Sequence, residues 1–122
     1  MDNTSLTFSK EERLCGKSSI SALLASGKWG TSAHLRYCWK RDPEGEVNRL
    51  LVSVPKRFFK RAVKRNLLKR RLRESYRLQK HSLSVSGVSL MLAWTGKEIA
   101  DFQTIKDEVG GILARIDKAC GQ

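Results

Sequence analysis

The chain has 122 residues, of which 40% are hydrophobic, and this length and composition suit one compact domain with a single core. The first five residues lack the basic and apolar segments of a signal peptide, and the longest apolar run, residues 88–94, is too short to cross a bilayer, so we expect a cytoplasmic protein without contact to a membrane. The formal net charge of +12 indicates a polyanionic partner.

The first half of the chain predicts one helix followed by two strands. Ser9 and Glu12 fit a capping box at a helix start, and Gly27 is placed to end that helix in a left-handed conformation. Residues 35–40 and 49–54 have the pattern of strands, and the turn residues between them predict a hairpin. We expect residues 1–8 to be flexible.

The second half predicts a long helix over residues 60–80, a buried strand over residues 88–94, and a last helix whose apolar residues recur at helical spacing from Phe102 to Ile116. The order is helix, strands, helix, strand, helix, and the long helix connects two strands as a crossover. This order predicts an α+β fold, an α/β sandwich with a mixed sheet, formed by residues 1–122 as a single domain.

The positive charge is concentrated in residues 56–80, which contain 12 Lys or Arg residues and one acidic residue, Glu74. Like charges one turn apart repel each other, and Lys60, Arg61 and Lys64 crowd a helix start, where the macrodipole disfavours cations. A solvated charged face would leave this repulsion in place. A bound phosphate backbone would relieve it, so the pattern favours a surface for a polyanion.

The long helix has distinct faces. Leu68, Leu72 and Tyr76 should pack against the sheet, and Val63 with Leu67 forms a second apolar patch, so we expect the helix to be covered on two flanks. A basic stripe lies between them, made of Asn66, Arg70, Arg73 and Arg77 with Lys69 at its edge.

Structured RNA fits this helix better than DNA does. A helix-turn-helix DNA reader needs a second helix directly before the recognition helix, whereas here a strand precedes it. The major groove of A-form RNA is too narrow for side chains to read, so a basic helix binds such RNA through its backbone. We therefore predict a single RNA-binding domain.

Residues 60–74 have the sequence KRAVKRNLLKRRLRE. This run closely resembles the signature helix of the bacterial ribonuclease P protein component, an A-V-x-R-N-R-x-x-K-R-x-x-R-E-like helix. In that family the helix follows a strand that ends S-V-x-K-(K/R), and residues 53–57 read SVPKR. Phe8, Arg13 and Leu14 also resemble the N-terminus of the family, and the order of the elements is the same.

The resemblance implies a protein subunit of ribonuclease P, an endoribonuclease and ribonucleoprotein of tRNA processing. The subunit would bind a catalytic RNA and the 5′ leader of precursor tRNA, while the RNA with its Mg²⁺ hydrolyses the phosphodiester and no protein side chain is catalytic. It implies a monomeric protein in a 1:1 complex with the RNA. It also implies a left-handed βαβ crossover, as in a domain of some ribosomal proteins. The main alternative is a ribosomal or other structured-RNA-binding protein without a role in cleavage.

The resemblance also assigns residues. The third position of the R-N-R core is Leu67, so one expected contact is missing, and Arg71 or Lys64 could replace it. Ile20 and Leu24 stand at two positions of the first helix that are often aromatic in the family. The expected RNA-binding residues are Lys56, Arg57, Lys60, Arg65, Asn66, Lys69, Arg70, Arg73 and Arg77.

The leader would lie on the exposed sheet face beside the signature helix, and the candidates there are Tyr37, Arg36 and Phe8. Single-stranded RNA needs a positive track, which Arg65 and Lys56 could supply, and flat apolar surfaces, which Tyr37 could supply if it faces outwards. In the alternative, Leu35, Tyr37 and Trp39 form the core face of the strand, and Arg36, Cys38 and Lys40 line the cleft. Alternation leaves both possibilities open. Trp94 should pack in the core, whereas the roles of Trp29 and Trp39 stay open.

A protein nuclease or metalloprotein is disfavoured. The two histidines, His34 and His81, belong to no recognisable acid–base constellation, so we expect structural or surface roles for them. Cys15, Cys38 and Cys120 are odd in number and widely spaced, which suits neither a disulfide framework nor a zinc site.

Overall fold

A computed structural model describes residues 17–120 of the chain, so the predicted capping box and Phe8 lie outside the described residues. The elements in chain order are α1 (Lys17–Ser26), β1 (Lys28–Thr31), β2 (Leu35–Arg41), β3 (Arg49–Ser53), α2 (Ala62–Gln79), β4 (Val88–Trp94) and α3 (Phe102–Cys120). A short 3-10 turn, Lys80–Ser82, follows α2. The predicted long helix, buried strand and last helix are confirmed. Within residues 17–120, no helix is both long and apolar enough to pass through a membrane.

The four strands form one mixed sheet in the order β1-β2-β4-β3. β2 pairs antiparallel with β4, and β3 pairs parallel with β4 on its other side. The predicted hairpin of β2 and β3 is therefore wrong, because β4 lies between them. Helices α2 and α3 pack on one face of β4 and α1 packs on the other. A strand that is covered on both faces has a continuous apolar sequence, as β4 does, and such a strand lies in the centre of a sheet. Sequence patterns also missed β1, which pairs with β2 at the edge.

One face of the sheet carries the main core. The side chains of Leu35, Tyr37 and Trp39 point to this face, where they pack with residues of α2 and α3 such as Leu72 and Ile112. Because α2 follows β3 and leads into β4, it forms the predicted crossover between two parallel strands.

The opposite face of the sheet carries α1. Leu23 packs there against Cys38 and Met91, and the Cys38 thiol donates a hydrogen bond to the Leu23 carbonyl at 3.3 Å. Gly27 ends α1 as expected, but not in a left-handed conformation, since Gly87 is the one described glycine with positive φ. A Cβ at Gly27 would lie 2.5 Å from Cys38 Sγ, so the glycine is needed for close approach to β2.

Glu108 of α3 holds the turn between β1 and β2. Its carboxylate accepts hydrogen bonds from the Ser32 hydroxyl and, at 2.7 Å, from the His34 backbone N–H, while His34 Nδ1 lies 2.8 Å from the second oxygen. The His34 ring also stacks on Trp94, with 5.2 Å between the ring centroids. Burial favours a higher pKa for Glu108, but the hydrogen bonds from Ser32 and His34 outweigh burial and lower that pKa.

Acid should therefore destabilise the fold through Glu108. The pKa of Glu108 in the folded protein lies below the unfolded value of about 4.3. The ionised carboxylate therefore stabilises the fold fully above about pH 4.3, and this stabilisation is lost as the pH falls through the folded pKa. Replacing Glu108 by glutamine should lower the free energy of unfolding at neutral pH by about 1–3 kcal/mol and flatten its acid dependence. Thermal unfolding at several pH values checks this, with the exposed Glu98→Gln as control. Equal stability of Glu108→Gln and wild type at neutral pH would contradict it.

Candidate RNA-binding surface

Helix α2 is anchored by one face and presents the opposite one. Leu68, Leu72 and Tyr76 are buried against the core, as predicted. The basic stripe therefore faces outwards and borders a shallow depression of about 400 Å³. Its lining residues are Asn66, Arg70, Arg73, Glu74 and Arg77.

The expected second covered flank of α2 is wrong. Val63 is 78% exposed, and Leu67 is only half-buried. The hydrogen bonds of α2 to the α3 region begin at Arg71, which donates to the Ala100 carbonyl, and continue to Gln79, which donates to Lys106. The first turns of α2 precede these contacts, so α3 does not cover Val63.

Arg65, Arg71 and Arg77 donate hydrogen bonds to other groups of the protein. Arg65 Nη1 donates to the Phe59 and Lys60 carbonyls at 2.7 and 2.9 Å, which fixes the chain that leads into α2. Arg71 Nη1 donates to the Ala100 carbonyl at 2.6 Å, which holds this side chain against the segment that leads into α3.

The third of these arginines is Arg77, which pairs with Glu74 through two hydrogen bonds of 2.9 and 2.5 Å. The hydrogen bond from Arg77 lowers the pKa of Glu74, so the carboxylate stays ionised and offsets the positive charge at this end of the stripe. Arg70 is different: it is exposed, and no described residue gives it a hydrogen bond or an ion pair.

The remaining predicted residues lie around the start of α2. Lys56, Arg57 and Lys60 are exposed in the connection between β3 and α2, and Lys69 is half-buried beside the stripe. The first turn of α2 contains no acidic residue, and its N-cap residue, Arg61, makes no side-chain capping bond. The N–H groups of a helix start attract anions, so the local field at this end of α2 suits a phosphate.

Tyr37 does not lie on the exposed sheet face. It is 7% exposed and belongs to the main core, which corrects its assignment as a platform for the leader. Arg36 and Lys40 are exposed and Cys38 is buried on the α1 side, which is the alternative that alternation had left open. Tyr37 is buried because two helices, α2 and α3, pack on the face of the sheet to which its side chain points.

The three tryptophans have different environments. Trp94 is fully buried, as expected, and Trp39 is buried in the core, where Lys28 Nζ lies 5.2 Å from the centroid of its ring. Trp29 is 44% exposed on the edge strand, and the Arg36 guanidinium lies 4.4 Å above its ring.

Other chemistry finds little support among residues 17–120. His34 binds the Glu108 carboxylate in a structural role, and His81 is exposed. Cys38 and Cys120 form no disulfide, and burial raises the pKa of the Cys38 thiol, which keeps it protonated. No group of three His, Cys, Asp or Glu side chains converges within the described part of the chain.

Comparison with known proteins identifies the family. A family model described as ribonuclease P matches residues 8–117. The ribonuclease P protein component of Porphyromonas gingivalis is 36% identical, over 89% of this chain and 85% of the relative. That of Citrifermentans bemidjiense is 33% identical, over 94% of this chain and 97% of the relative.

Solved structures agree with the observed fold. The ribonuclease P protein of Thermotoga maritima has a TM-score of 0.74 at 25% identity, over 85% of this chain and 96% of that one. The Staphylococcus aureus protein has a TM-score of 0.74 at 19% identity, over 86% and 94% of the two chains, and supports the fold alone. By its sequence and its fold, the chain belongs to the ribonuclease P protein family.

Proposed function

We propose that this protein is the protein subunit of a ribonuclease P that removes the 5′ leader from precursor tRNA. In this proposal it is monomeric and binds the catalytic RNA in a 1:1 complex. The observation that carries the proposal is the exposed basic stripe of α2, in a chain that belongs to the ribonuclease P protein family. Arg70 is the central cation of that stripe, because it is exposed and no described residue gives it a hydrogen bond or an ion pair.

The stripe acts by binding phosphates of the catalytic RNA. From Asn66 to Arg73 the helix rises about 10 Å, so its cations contact neighbouring phosphates along one strand. Guanidinium groups can donate two parallel hydrogen bonds to one phosphate, which gives Arg70 and Arg73 orientation as well as attraction. Because Leu72 and its neighbours anchor the opposite face of α2, these cations keep their spacing when RNA binds.

The Mg²⁺ of the reaction belongs to the catalytic RNA in this proposal, and it supplies the activated nucleophile and the stabilisation of the leaving oxygen. The protein side chains bind and orient RNA. Lys56 and Arg57 follow β3 and precede α2, so in the chain they stand between the sheet and the helix that carries the stripe. They would guide the leader from the cleavage site toward Arg36.

The proposal predicts that catalysis depends on the RNA. Purified protein alone should leave precursor tRNA intact, and adding the cognate catalytic RNA should give cleavage at the 5′ end of the mature tRNA. The protein should lower the Mg²⁺ concentration at which that RNA cleaves, because its cations replace part of the metal screening of the phosphates. Cleavage assays across a Mg²⁺ series check this, and Mg²⁺-dependent cleavage by RNA-free protein would contradict it.

The second candidate is a structured-RNA-binding protein without a role in cleavage, such as a ribosomal protein. The α2 stripe favours it equally, since phosphate contacts carry no sequence information. Capture of the protein from cells and sequencing of the bound RNA separates the two. Recovery of ribosomal RNA without the ribonuclease P RNA would support the second candidate.

A further inference from the structure

A cavity of about 270 Å³ lies where β2 and α3 end, and it shares no lining residue with the depression on α2. Lys28 at the start of β1, Trp39 and Arg41 at the end of β2, and Cys120 at the end of α3 line it. Lys28 and Trp39 are opposite each other in the register and therefore point to the same face. Because Trp39 belongs to the main core, this wall of the cavity lies on the α3 side of the sheet.

Three cations line this cavity, and none of its described lining residues is acidic. Lys28 and Lys40 are exposed, and Arg41 is half-buried. Arg41 donates its Nε–H to the Ser86 carbonyl at 3.1 Å, and no described residue accepts a hydrogen bond from its terminal nitrogens. Lys28 Nζ lies 5.2 Å from the centroid of the Trp39 ring, so a cation–π contact holds this ammonium at the wall of the cavity.

The two acidic residues that lie closest to these lining residues in the chain have other partners. Asp42 accepts a hydrogen bond from the Glu44 backbone N–H at 3.1 Å, and Asp117 accepts one from the Ser84 backbone N–H at 2.8 Å. The three cations of the cavity therefore have no ionic partner among residues 17–120.

The end of α3 accounts for only part of this positive charge. The peptide dipoles of a helix place about half a unit of negative charge at its C-terminus, which attracts cations. One of the three cations more than offsets that charge, so the charge of the other two is left for a ligand. The cavity therefore favours a small anion with close to two negative charges.

We propose that this cavity binds a phosphate monoester, such as the phosphate group of a nucleoside monophosphate. A phosphate monoester carries between about 1.5 and 2 negative charges at neutral pH, which matches the two remaining cations. The terminal nitrogens of Arg41 can donate two parallel hydrogen bonds to one phosphate, and the ammonium groups of Lys28 and Lys40 add attraction. The volume lies slightly below the range of about 300–1,000 Å³ for drug-sized ligands, so it suits a phosphate and its sugar. The site does not depend on the proposed function.

The same cations have a simpler role, in which they stabilise the C-terminus of α3. That role predicts a lower melting temperature when Lys28 is replaced, but no binding of a small anion. Measuring the binding of a phosphate monoester therefore separates the two roles.

The test uses the full chain with Arg70 and Arg73 replaced by alanine, so that the α2 stripe contributes less to anion binding. Titration calorimetry measures the affinity for AMP, and adenosine, which has no phosphate, is the matched ligand. AMP should bind and adenosine should not. Lys28→Gln should weaken AMP binding about tenfold, because it removes a hydrogen bond to a charged group. Lys97→Gln removes an exposed charge outside the cavity and should leave the affinity unchanged.

The indole N–H signals in NMR spectra locate the bound ligand. The signal of Trp39 should shift on addition of AMP because its ring lines the cavity, whereas that of Trp29, which faces α1, should not. The source of the phosphate is decided with a short RNA that carries either a 5′-phosphate or a 5′-hydroxyl. Tighter binding of the phosphorylated RNA assigns the site to RNA ends as well, and binding of AMP alone assigns it to free nucleotides.

Three results would overturn this inference. They are equal affinities for AMP and adenosine, equal affinities for AMP in the Lys28 and Lys97 variants, and a shift of the Trp29 signal without one of Trp39. Each of them leaves the proposed function intact, because the cavity shares no residue with the α2 stripe.

Discussion

Replacing both Arg70 and Arg73 by alanine should weaken binding of the catalytic RNA by about 3–6 kcal/mol, since a hydrogen bond to a charged group contributes about 1.5–3 kcal/mol. Both side chains are exposed on the outward face of α2. A substitution at such exposed positions usually changes the free energy of unfolding by less than about 0.5 kcal/mol, so the midpoint of thermal unfolding should change little. Binding isotherms and melting curves of the same protein samples check the two halves of this result.

The salt dependence of the affinity shows how many phosphate contacts are lost. Each missing phosphate contact should flatten the slope of log affinity against log salt concentration by about 0.7–0.9. Lys97→Ala combined with Lys118→Ala also removes two exposed positive charges, neither of them on α2, and serves as the control for net charge alone. If the two double variants bind the catalytic RNA equally, the stripe is a solvated surface and the proposed RNA interface is wrong.

Leu72→Ala should lower the free energy of unfolding by about 2–5 kcal/mol, the range for a leucine truncated in a close-packed core. Leu72 is completely buried on the face of α2 that packs against the main core, so its truncation leaves a cavity. For a domain of this size such a loss is a large part of the total stability. Denaturant unfolding measures it.

Val63→Ala is the matched control on the same helix. Val63 is 78% exposed, and its truncation should change the free energy of unfolding by less than about 0.5 kcal/mol. A large destabilisation by Val63→Ala would mean that the first turn of α2 is covered, as its sequence pattern had suggested. Equal effects of the two substitutions would contradict the observed orientation of α2.

Helices and the central strand were predictable because their signals are local. The basic helix was expected over residues 60–80 and runs over Ala62–Gln79, and the strand expected over residues 88–94 is Val88–Trp94. Helical spacing and a continuous apolar run are properties of neighbouring residues, so a single sequence contains them. The family, too, was recognisable from residues 60–74, and the comparisons confirm it.

Pairing and burial of strands depended on distant residues. β2 and β3 are consecutive, yet β4, which follows an entire helix, separates them. The alternation of β2 defined two faces without saying which one is the core. That choice followed from α2 and α3 on one side and α1 on the other, which buries Tyr37 and leaves Arg36 exposed.

The candidate site shows the same division. Sequence alone determined the number of cations and their stripe on α2, because helical periodicity places Asn66, Arg70 and Arg73 together. Tertiary structure decided which cations already donate hydrogen bonds within the protein: Arg71 reaches a carbonyl 29 positions away, whereas no described residue gives Arg70 a hydrogen bond or an ion pair. A side chain finds such partners only after the chain has folded, since burial leaves carbonyl groups in need of donors and brings distant donors to them.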